Sequence, residues 1–155
     1  MNAIIIRMYD LGTPLARLAD QIQPLLLLGL RLFIAWVFIK AGLTKIEDWD
    51  TTLFLFREEY AVPLLSPQVA AFMGTAGELL LPPLLAIGLA GRLAAAGLFV
   101  VNVMAVVSYP ALWEFECPAA FDSHVWWGVG LLVLTAFGPG ALSADRLLGG
   151  RRSRD

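Results

Sequence analysis

Residues 24–49 read PLLLLGLRLFIAWVFIKAGLTKIEDW. A helix rises about 1.5 Å per residue, so about 20 apolar residues cross about 30 Å of hydrocarbon, and this run is long enough to do so. Within it lie Arg31 and Lys40, with Lys45 at its far end. A charge at membrane depth is costly unless it snorkels, meets a partner or faces a wet cavity. The rest of the chain has to supply those partners.

Working outward, the 155-residue chain is 59% hydrophobic and 15% charged, with a mean hydropathy of +0.74. Soluble domains run at about 45–50% apolar and about 25% charged. The expected class is therefore all-α: an integral membrane four-helix bundle with short interfacial helices. No linker divides it in two. The lipid bilayer is the expected partner and nucleic acid is not; association into an oligomer is compatible with the sequence. The opening MNAIIIRMYD has no usable cleavage site, and its apolar run is too short for a signal peptide. Cys117 is the single cysteine, which excludes an intrachain disulfide or a cysteine cluster.

In residues 1–23, Arg7, Asp10, Arg17 and Asp20 are spaced among apolar residues and Pro14 interrupts them. This segment reads either as amphipathic turns in the headgroup region or as a polar arm. Four spans follow in residues 24–142, at about 24–45, 67–90, 92–113 and 120–137. Between the first two, Asp48 or Asp50 can cap a short helix running to about Tyr60, with Trp49, Leu53, Phe54 and Phe56 as its apolar side. Such a helix would lie over the mouth of the bundle. Ser66-Pro67 is an N-cap with a first-turn proline, and Pro82-Pro83 should bend the second span. Gly138-Pro139-Gly140 stops the fourth. Residues 143–155 then give an interfacial turn, ADRLL, and a basic tail expected to be disordered.

Both long connections are acidic, whereas Arg92 and the tail arginines Arg146, Arg151, Arg152 and Arg154 fall on the opposite side. The excess of arginine predicts both termini in the cytoplasm. Trp49, Tyr60, Tyr109, Trp113, Trp126 and Trp127 would then form an aromatic belt at the outer interface.

Four polar side chains fall inside the bilayer: Arg31, Lys40, Glu78 and Asn102. Counting helix rise from the inner edge puts Arg31 at about 10 Å, Glu78 at about 18 Å and Lys40 at about 24 Å, with Asn102 near the middle. Depth and side-chain lean favour Lys40 as the partner of Glu78, and the forked guanidinium favours Arg31. Both assignments stay open. The set reads as an ion pair and asparagine that fix packing, or as a polar cavity for a headgroup, quinone or other small molecule. At the outer end, Cys117, Asp122 and His124 stand near Glu114 and Glu116. Thiolate, imidazole and carboxylate can ligate a metal, but Cys117 and His124 form only a slight set for it. His124 also shares a helical face with Gly128, Leu131 and Thr135, and can cap a polar stripe inside the bundle.

RLFIAWVFIKAGLTKIEDW, GELLLPPLLAIGLAGRLAAAGLF and HVWWGVGLLVLTAFGPGALSADRLL together resemble the DoxX family of small bacterial membrane proteins, over about residues 26–148. Its pattern carries over at Arg31, Gly42, Lys45, Glu78, Gly88 and Arg92, and at Gly138, Pro139, Gly140, Ser143 and Asp145. The resemblance implies a four-helix membrane bundle, with some members tied to quinone-reducing thiosulfate oxidation and others to redox complexes in stress defence. KAGLTKIEDWDTTLFLF is also similar to a branch found beside peptide-modifying iron enzymes and small copper-related peptides. Redox or peptide-handling proteins are the partners this implies; it assigns no cofactor, with quinone the one it allows.

Two functions follow as expectations. One is an accessory membrane subunit of a redox system, quinone- or stress-linked, enzymatic only with a partner. The other is a non-catalytic membrane component that binds or moves a small molecule or metal, or anchors proteins.

Overall fold

Helix α1 (Ala3–Glu47) is continuous in the computed structural model of the chain, which describes residues 3–113 and 118–152. The sequence reading starts a span at Pro24, but the helix runs through both Pro14 and Pro24. A proline inside a helix lacks the N–H that would bond the carbonyl four residues back. Residues 16–23 are all exposed, so the Asp20 carbonyl freed by Pro24 is not trapped in an apolar interior. Proline's fixed φ is itself helical, and the helix continues.

Helix α2 (Trp49–Glu58) begins where Asp48 accepts from the Thr51 N–H at 2.9 Å and the Thr51 hydroxyl at 2.7 Å. The Thr52 hydroxyl donates to the Lys45 carbonyl at 2.9 Å, tying α2 to the end of α1. Phe56 packs with Ala70 and Ala71, flanked by Trp49, Leu53, Tyr60 and Val62, so α2 closes one end of the bundle. Phe54, expected on that apolar side, is exposed.

Exposed Asp48 has its carboxyl held below the usual range, chiefly by the Thr51 backbone N–H and then its hydroxyl. A lowered folded-state pKa gives stability above the unfolded pKa that is lost as pH falls through the folded value. The cap is thus expected to hold at neutral pH and to open below about pH 4. Amide exchange at Thr51 and Thr52, corrected for its intrinsic rate, should accelerate there; constant protection down to pH 2 would show that the cap does not matter.

Helix α3 (Pro67–Ile87) starts with Ser66 as N-cap and Pro67 in its first turn, and ends at Gly88, φ 70°. Only a residue without Cβ enters this left-handed region freely. After the turn, α4 (Gly91–Ser108) leads into a 3-10 turn, Pro110–Leu112. Helix α5 (Pro118–Phe137) stops at Gly138, φ 83°, and α6 (Ala144–Arg152) follows. This last helix reaches into the tail read as disordered; residues 153–155 lie outside the described part.

The bundle closes in the order α1, α3, α4, α5, with α1 also meeting α5. Its core is Ile34 and Phe38 from α1, Leu85 from α3, Ala94, Ala95 and Leu98 from α4, and Leu131 and Leu134 from α5. Large apolar side chains also point outward on every long helix, among them Trp36, Phe72, Leu93 and Trp126. Four helices are long and apolar enough to cross a membrane, and lipid is the solvent such a surface requires. No strand occurs among the described residues.

Candidate functional site

Glu78 sits in the apolar middle of α3, where an isolated carboxylate would be costly. Its partner is Lys45: Nζ donates to Oε1 at 2.6 Å and to Oε2 at 2.5 Å. Among the described residues this is the one salt bridge. Gly42 lets it form, because a Cβ there would stand 2.8 Å from the Leu79 side chain and 3.1 Å from the Glu78 Cβ. The glycine brings α1 close to α3 one turn before Lys45.

The pair faces a cavity of about 540 Å³ between α1, α3, α4, α5 and the α2 connection. Most of its wall is apolar, including Phe38, Met73, Val101, Met104 and Trp127. Polar groups enter at a few points: Lys45, Glu78, Tyr60, Ser108, Tyr109 and His124. The Ser108 hydroxyl is buried and lacks a hydrogen-bond partner, an unmet demand that a ligand could satisfy. Tyr60 stacks edge-on against Phe56 at 4.9 Å and Tyr109 at 5.3 Å. Burial pushes the Tyr60 phenol upward, with Tyr109, Glu59 and Glu78 adding to the shift, so it remains a hydroxyl donor. An apolar chamber with a few convergent polar groups is the usual form of a small-molecule site.

Asn102 does not line this cavity but stands behind it. Its Nδ2 donates to the His124 carbonyl at 2.9 Å and its Oδ1 meets His124 Nδ1 at 2.8 Å. Trp127 lies edge-on to the imidazole at 4.9 Å. Two helices, α4 and α5, thereby fix one histidine at the cavity wall.

At the opposite end, Arg31 is 1% exposed and donates from Nη2 to the Leu142 carbonyl. Its Nη1 lies 2.0 Å from where a Cβ on Gly88 would stand, and Ser143 lies on the same side. Asp145 accepts from the backbone N–H groups of Ala90 and Gly91, both at 2.8 Å, and its own N–H donates to the Gly88 carbonyl at 3.0 Å. A carboxylate on the first N–H groups of α4 satisfies donors that have no helical partner. This cluster clamps the α3–α4 turn to α6.

The structure therefore separates the residues read as one intramembrane set. Arg31 belongs to the turn clamp, Lys40 is exposed on α1, and Lys45 takes Glu78. Arg92 is exposed beside Gly138. Asp122 is exposed, His124 joins the cavity wall and Cys117 lies outside the described residues. No group of three or more metal-ligating side chains occurs among the described residues. Tyr60, Ser108 and Tyr109 were missed as site residues. The signal available was the placing of two tyrosines in the connections at one end of the bundle.

Fold and site together define a multi-pass membrane protein: an all-α bundle of four spanning helices enclosing a cavity with an ion pair in its wall. The chain belongs to the DoxX family, whose sequence profile matches residues 26–111. That stretch includes Arg31, Lys45, Glu78 and Asn102, and ends before His124 and the Gly138–Asp145 segment. No curated protein and no solved structure matches the chain.

Proposed function

We propose that the protein binds a quinone-type molecule in the Lys45–Glu78 cavity, as an accessory membrane subunit of a redox system. The observation that carries this is the ion pair at the edge of a mostly apolar chamber of about 540 Å³. An apolar ring and tail suit the wall. The third N–H of Lys45, the Tyr60 hydroxyl and the orphaned Ser108 hydroxyl suit ring oxygens. With one cysteine and one histidine, the chain offers no ligand set for a haem pair or an iron–sulfur cluster. The electron carrier therefore belongs to a partner protein, and this subunit supplies the quinone pocket and its proton-holding groups.

The cavity end faces the bacterial periplasm and the Gly88 end the cytoplasm, both termini inside, because the arginines collect around the latter. Labelling of Cys117 in intact cells by an impermeant maleimide is the expected result. Reaction only after the inner membrane is breached would invert the orientation.

Calorimetric titration of the purified protein with short-chain quinones tests the function. Saturable one-site binding is expected. No binding across several quinones would sink the redox reading and leave a scaffold or a carrier of another small molecule.

A further inference from the structure

The bonds around Asn102 determine which hydrogen-bonding atom His124 presents to the cavity. The His124 carbonyl only accepts, so the end of the Asn102 amide that meets it at 2.9 Å must be the NH2. The other end is therefore the oxygen, and it too only accepts. Nδ1, 2.8 Å away, must carry a proton to bond it. In a neutral imidazole the second nitrogen then holds a lone pair. That nitrogen, Nε2, makes no hydrogen bond among the described residues. His124 lines the cavity, and Trp127 stands edge-on to its ring. Asn102, 4% exposed, has no freedom to turn over, because a reversed amide would set carbonyl against carbonyl.

We infer that His124 Nε2 is a hydrogen-bond acceptor for a ligand hydroxyl, so that the site selects the reduced, quinol form over the quinone. Rotating either ring oxygen of a quinone toward Nε2 sets two acceptors against each other and leaves both unpaired. A quinol hydroxyl donates there, while its other oxygen accepts from Lys45 or Tyr60. Asn102 is the positioning residue that fixes the tautomer. This inference rests on the quinone-type reading of the cavity.

Because His124 is the one histidine in the sequence, nitrogen NMR of histidine-labelled protein reads its tautomer without assignment. Wild type is expected to show a protonated Nδ1 and an unprotonated Nε2, with Nε2 shifting when decyl-ubiquinol is added under anaerobic conditions. Decyl-ubiquinol should bind at least about tenfold more tightly than decyl-ubiquinone, as one unmet polar contact implies. His124→Leu should abolish the preference for the quinol. Asn102→Leu should release the tautomer in folded protein and reduce the preference, which a purely structural asparagine would not do. A proton on Nε2 in wild type, or equal affinity for the two forms, overturns the inference and leaves the cavity reading intact. Failure of both forms to bind overturns both.

Discussion

Glu78→Leu is expected to destabilise the folded protein by about 3–5 kcal/mol, the usual cost of stranding one member of a buried pair. The Lys45 side chain is 22% exposed against 9% for Glu78, so Lys45 can relax partly into the cavity and the lower end of that range applies. Lys45→Met should cost a comparable amount by stranding the carboxylate. The double variant should recover most of the loss, because two apolar groups of similar volume pack where two charges had to be desolvated. Thermal melts in detergent of the four proteins form the cycle. Additive losses would mean that the two groups are solvated separately and that the pair contributes nothing.

The second large effect is expected at Gly88. An alanine there must hold φ near 70°, which costs an L-residue about 1–2 kcal/mol. Its Cβ would also stand 2.0 Å from Arg31 Nη1, so the guanidinium has to leave. Arg31 Nε and Nη1 already lack partners and the bond from Nη2 to Leu142 would go as well. Losing that charge-assisted bond costs about 1.5–3 kcal/mol. A total above about 3 kcal/mol is therefore expected for Gly88→Ala. The double change Arg31→Met, Gly88→Ala relieves the guanidinium clash and should recover part of the loss, leaving the backbone cost and the 2.6 Å approach of the new Cβ to the Ser143 Cβ. If Gly88→Ala melts within a degree of wild type, Arg31 does not occupy that space.

The same clamp shows why the bundle was legible in the sequence and its pairing was not. Four apolar runs, Ser66-Pro67 and Gly138-Pro139-Gly140 mark the helices because each acts locally, through hydropathy or capping, although the second span, read to residue 90, ends at Ile87 with Gly88 as its left-handed cap. The partner of Glu78 depends on register between helices. Counting depth from Pro24 set Arg31 well inside the bilayer, but α1 does not begin there, and Arg31 stands beside Gly88. From that level Lys45 is about 21 Å along α1 and Glu78 about 15 Å along α3. Lys45 leans back toward the start of α1 and Glu78 toward the start of α3, and these opposed leans close the difference. Lys40 lies off that face and is exposed.

Asp145 was legible only as a member of the ADRLL turn and of the family pattern. That it caps α4, more than fifty positions earlier in the chain, is a tertiary fact with no local signature. Asn102 was read as a polar group at mid-span, but its bonds to His124 cross between helices and could not be counted along either one.

Photoaffinity labelling with a short-chain azidoquinone, followed by peptide mapping, tests the central claim most directly. The cavity predicts adducts on its wall, at residues such as Tyr60, Met73, Met104 and Trp127, suppressed by unlabelled quinol. Labelling should also fall in the stable Lys45→Met, Glu78→Leu protein. Adducts confined to the outward faces of the helices, unchanged by competitor or by the double variant, would contradict it.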